Sequence, residues 1–159
     1  MPASSTPSYP SELLINGRGP DQTFSPDELL FMRAPHVDGR GKIGSPDIRC
    51  PDTSVNREKY SQPVHVLYCQ LPKFLDWRVL KIRVDQVPSE LENPNDGSRF
   101  SFQIVHDPLS SPEENYAHSE IRAFVGTERR KRLPPVIDKL FRQILADRLQ
   151  LVPLEELKR

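Results

Sequence analysis

Apolar and polar residues alternate along Arg99–His106: Phe100, Phe102, Ile104 and His106 fall on one side of an extended chain, Ser101 and Gln103 on the other. Residues 116–125 repeat the two-residue period, with Ala117, Ser119, Ile121, Ala123 and Val125 opposite Tyr116, His118, Glu120 and Arg122. In residues 77–85, Leu80, Ile82 and Val84 stand against Val79, Lys81 and Arg83, which predicts a third strand. The period then changes. After Pro134 and Pro135, residues Val136, Ile137, Leu140, Phe141, Ile144, Leu145 and Leu149 recur at helical spacing, with Asp138 near the start and Arg148 near the end. Burying such a stripe stabilises by roughly 1.5–3 kcal/mol per large side chain, so this helix is expected to cover the sheet. The pattern gives an α+β fold: a small, mostly antiparallel sheet with a long C-terminal amphipathic helix packed on one face.

The remaining segments are less regular. Residues 1–22 are rich in Ser, Pro and Gly and read as a mobile leader whose short patch Leu13, Leu14, Ile15 docks on the core; residues 23–159 form the single domain. Ser25, Pro26 and Glu28 form a helix-start signature and predict a short helix over 27–33, ended by Pro35, with a strand over 29–33 as the alternative. Residues 35–53 form a long loop punctuated by Gly39, Gly41, Gly44, Pro46 and Pro51. A dense polar cluster follows, and then residues 62–69, readable as helix or strand. Asn95-Asp96-Gly97 marks a turn, and Ser111, Pro112 and Glu114 suggest a single helical turn between the last two strands.

Composition narrows the possible partners. Lys and Arg together equal Asp and Glu at 22 each, so no global charge draws the chain to nucleic acid or to an anionic membrane. No apolar run reaches membrane-spanning length and no secretory signal is visible. Cys50 and Cys69 have no zinc-ligand spacing; an oxidising compartment would allow a single disulfide between them, but they read as two reduced thiols and a cytoplasmic protein is expected. No phosphate-cradling glycine loop and no nucleophile-elbow arrangement occurs.

Candidate chemistry comes from four groups. His118 and Glu120, two apart on a strand, leave the same face, and His106 begins the loop that returns to them. Two imidazoles and a carboxylate suit acid–base catalysis or a divalent metal, and the sequence leaves the metal open. Ser54, Asn56, Arg57 and Tyr60, with Lys59, supply hydroxyls, an amide and cations for a phosphate or carboxylate. Arg33, just before the long loop, adds a further guanidinium, with the loop's own Arg40, Lys42 and Arg49. Arg129, Arg130, Lys131 and Arg132 precede the helix as a basic run able to touch phosphates.

In chain order, Arg33, Ser54 and Glu120 resemble the arginine, serine or threonine, and glutamate that ADP-ribosyltransferases present on successive elements. The resemblance implies that the arginine and serine hold a dinucleotide and the glutamate its ribose. It rests on three residues without a flanking motif, and the acidic residue or glutamine usual two before the glutamate is His118 here.

The expected function is a polar-pocket enzyme acting by transfer or hydrolysis on a small anionic ligand of nucleotide type. Glu120 or His118 would be the base, and Arg33 or Arg57 the anion clamp. Its alternatives are a non-catalytic module docking a protein through the leader or the last helix, and a weak nucleic-acid binder through residues 129–132.

Overall fold

Eight strands form one curled antiparallel sheet in the computed structural model, which describes residues 8–157. They are β1 (Leu29–Ala34), β2 (Thr53–Arg57), β3 (Arg78–Arg83), β4 (Glu90–Glu92), β5 (Arg99–His106), β6 (His118–Val125), β7 (Glu128–Arg130) and β8 (Gln150–Leu151). Their order is β4-β5-β6-β2-β1-β3-β8, and β7 folds back on the far end of β6. The single α-helix among the described residues, α1 (Pro135–Arg148), runs 14 residues. The class is α+β.

The helix expected over 27–33 is instead a turn followed by a strand. The Glu28 N–H closes back on the Ser25 carbonyl at 3.1 Å, and β1 starts at Leu29. The capping signature satisfies only this turn, because the next residues are apolar on both sides. Leu30, Met32 and Ala34 enter one buried cluster and Phe31 another, as befits a strand with neighbours on both edges. The polar cluster supplies β2, and residues 62–69 hold a short 3-10 turn, Pro63–Leu67. The segment around Ser111 is closed by a bridge between Leu109 and Asn115, with no helical turn.

Parity assigns the two clusters to opposite faces. Leu30, Met32, Leu80 and Ile82 meet Phe102, Ile121, Ile137, Phe141 and Leu145 on the face that carries α1. Phe31 and Val79 meet Val64, Val66, Leu67 and Val152 on the other. Within the leader, Leu13 is fully buried; its carbonyl accepts the Tyr116 N–H at 2.8 Å, and the Ile15 N–H donates to the Glu114 carboxylate at 2.7 Å. Residues 1–7 of that segment lie outside the described residues.

Candidate functional site

Strand register builds a polar patch on the face away from α1. On β2, Val55 and Arg57 point to the α1 side, so Ser54 and Asn56 point the other way. On β6, Ile121 and Ala123 face α1, which turns His118 and Glu120 outward with them. Pairing sets Asn56 opposite His118 and Ser54 opposite Glu120, and β1 adds Arg33 beside β2. Over this patch lies a pocket of about 310 Å³. Its floor is Arg33, Ser54, Asn56 and His118; its walls include Cys69, Gln70 and Trp77 on one side and Leu109, Glu113 and Asn115 on the other. From the long glycine-punctuated loop, Arg49 reaches it.

Hydrogen bonds fix how the polar side chains of the pocket are turned. The Ala117 backbone N–H, necessarily a donor, meets Asn115 Oδ1 at 3.1 Å. The Asn115 amide nitrogen must therefore point the other way, and it donates to Asn56 Oδ1 at 2.8 Å. That leaves Asn56 Nδ2 as a donor with no partner among the described residues, on a residue only 1% exposed. A buried amide without an acceptor costs about 1–3 kcal/mol, so the chain maintains this donor at a penalty.

His118 is fixed by the same reasoning. Its Nδ1 lies 2.8 Å from the Asp107 carbonyl oxygen, which only accepts, so Nδ1 carries the proton. The opposite nitrogen, Nε2, then holds a lone pair, and Ser54 Oγ, 3.3 Å away, donates to it. The Asp107 N–H returns a bond to the His118 carbonyl at 3.0 Å, so the loop is held from both sides. A hydroxyl hydrogen-bonded to an oriented imidazole is the minimal unit of nucleophilic catalysis.

Charge completes the pocket. The Arg33 guanidinium lies over the Phe74 ring at 4.1 Å. Among the described residues neither it nor Arg49 has a carboxylate partner. The wall carboxylate, Glu113, takes the Cys69 S–H at 3.7 Å, and burial pushes that thiol's pKa up. Two guanidiniums against one carboxylate favour an anion.

Four of the expected site residues are engaged elsewhere. His106 pairs with Ser119, one residue out of step with His118, so the sheet separates the two imidazoles. His106 is buried against Asp21 and Tyr116. Arg57 is fully buried: its Nε and Nη2 donate to Glu28 at 2.9 and 2.8 Å, and the guanidinium reaches the Asp21 and Thr23 carbonyls at 2.5 and 2.7 Å. Tyr60 donates to Asp21 Oδ2 at 2.5 Å, which holds that carboxyl well below the usual range, with the Thr23 N–H and Lys59 assisting. Glu120 binds Arg122 at 2.9 Å and Arg129 at 3.5 Å and does not line the pocket.

No group of three or more His, Cys, Asp or Glu side chains among the described residues is placed to hold a metal. Of the basic run, Arg129 is also tied to Asp52 at 2.9 Å and Arg130 to Glu128 at 2.9 Å. The apolar stripe of α1 is occupied within the chain, since Ile137, Phe141 and Leu145 are buried. No helix among the described residues is long and apolar enough to cross a membrane, and both cysteines are free thiols.

The trio behind the ADP-ribosyltransferase resemblance falls on three neighbouring strands, β1, β2 and β6, with Arg33 and Ser54 in the pocket and Glu120 across from Ser54. Comparison with protein-family models, curated proteins and solved structures finds no match. Sequence reasoning missed Asn115 and the part played by the Asp107 backbone carbonyl, while Arg49 was among the long loop's cations set beside Arg33. Asn115 opens the second central strand segment, and its amide is the one signal that pointed there.

Proposed function

We propose that the pocket over β1, β2 and β6 binds a nucleotide-type anion and acts on it by transfer or hydrolysis. The unpartnered Nδ2 of Asn56 carries this reading. A buried donor held in place by Asn115, beside two guanidiniums without carboxylates, is complementary to a phosphate oxygen. Arg33 serves as the anion clamp and His118 as the base. Arg57, the other clamp considered, is saturated by Glu28 and two carbonyls. Arg33 and Ser54, the pair that the ADP-ribosyltransferase resemblance assigns to a dinucleotide, both line the pocket, whereas Glu120 stays with Arg122 and Arg129.

Thermal-shift titration with ATP and NAD tests the proposal, since a ligand of the native state raises the melting temperature. Arg33→Ala removes the clamp and is expected to weaken binding about 10- to 100-fold, in line with 1.5–3 kcal/mol for a charged hydrogen bond. Asn56→Asp keeps the bond from Asn115 but sets a carboxylate oxygen where the free donor stood, so the shift should vanish. Absence of a shift with either nucleotide, or equal shifts in both variants, refutes the reading.

A further inference from the structure

We infer that Ser54 is a covalent nucleophile and His118 its general base, so that the pocket cleaves phosphoric esters through a phosphorylated serine. This rests on the anion-binding reading above and goes further by assigning the bond that forms. Three observations converge. Ser54 Oγ donates to a nitrogen whose lone pair is guaranteed by the Asp107 carbonyl on the opposite side of the ring. The 3.3 Å separation is long, as is common before substrate draws such pairs together. Asn56 lies two residues along the same strand face, lines the same pocket and carries an Nδ2 with no hydrogen-bond partner among the described residues. Arg33 and Arg49 supply positive charge without partners of their own.

Ser54 Oγ attacks phosphorus and its proton passes to His118 Nε2. The phosphorus–oxygen bond to the leaving alcohol breaks on the side opposite Ser54, and the departing alkoxide takes a proton from a water molecule entering there, leaving phosphoserine, the His118 imidazolium and a hydroxide. The hydroxide attacks the same phosphorus from that side. The Ser54 oxygen leaves and takes back the proton from Nε2, which restores the neutral ring and releases phosphate. Charge gathering on the phosphoryl oxygens meets Asn56 Nδ2 and the Arg33 guanidinium. The transient imidazolium keeps its Nδ1–H on the Asp107 carbonyl, which positions the ring. That positioning group is backbone, so it survives substitution of the Asp107 side chain.

A fluorophosphonate probe tests the assignment, because it phosphonylates a serine with loss of fluoride as the proton goes to the base. Intact-mass and peptide analysis of the full chain should find one adduct, on Ser54, and none in Ser54→Ala. His118→Gln should slow labelling about 100-fold and flatten its dependence on pH, as expected for loss of a general base. Ser54 is exposed, so the Ser54→Ala arm reads out even if His118→Gln melts early. No adduct, or an adduct elsewhere, while ATP still shifts the melting temperature overturns the nucleophile and leaves the binding pocket standing. Equal labelling of His118→Gln and wild type overturns the base. Loss of the ATP shift itself is the separate failure of the binding reading.

Discussion

The His106 imidazole receives the Asp21 backbone N–H on Nδ1 at 2.8 Å and donates from Nε2 to the Tyr116 carbonyl at 2.5 Å. A second proton on Nδ1 would face another N–H with no acceptor. Burial, aided by the positive charge of Arg57, pushes the pKa below its ordinary 6.5. Between the lowered value and 6.5 the unfolded chain binds more protons than the folded one, so stability rises with pH across that window. Lowering the pH from about 7.5 to about 5.5 should therefore reduce the melting temperature, and His106→Gln should flatten that slope although it lowers stability overall. A melting temperature that rises on acidification contradicts this account. At this scale the sequence supplied the chemistry but not its address. His106 and His118 were both legible as polar residues on strand faces. A register in which His106 meets Ser119 puts them on opposite sides of the sheet.

The elements with the strongest period were the most legible. Arg99–His106 is a strand over its full predicted length, and the stripe after Pro135 is a helix. The stripe anchors on Phe141, whose ring lies 4.3 Å from that of Phe102, nearly parallel at 17°. Phe141→Ala is expected to cost about 3–5 kcal/mol, measured as a drop in denaturant midpoint, because the cavity opens between helix and sheet where neither can close it. A loss below about 1 kcal/mol would mean that the helix contributes little to the core. β1 was harder to read. A run apolar on both sides has no period to distinguish strand from helix, and the Ser25-Pro26 start signal favoured helix locally. Pairing with both β2 and β3 decided the matter.

Across the molecule, one buried arginine ties the first described residues to the centre of the sheet. Arg57 binds Glu28 twice, reaches two carbonyls in the preceding segment, and lies 3.9 Å from the centre of the Phe24 ring. Arg57→Met should destabilise by roughly 3–5 kcal/mol, because it strands the buried Glu28 charge. Adding Glu28→Gln should restore part of that loss, and proteolysis between residues 8 and 24 should accelerate in the single variant. If the double variant is no more stable than the single, the stranded charge is not the cause.

Periodicity along the chain determined that this protein has an antiparallel sheet with a helix bearing an apolar stripe, because those patterns depend only on neighbours two to four residues away. Composition likewise determined the balanced charge, and the residue types supplied the polar side chains of the pocket. Which of those residues meet was decided by tertiary structure alone. The sheet order places β2 between β1 and β6, so Arg33, Ser54, Asn56 and His118, spread over 86 positions, share one pocket, while Arg57 and His106 turn to the opposite face. Side-chain direction in a strand reverses with every residue. A function that needs several strands therefore depends on register, and register is set by packing between distant segments.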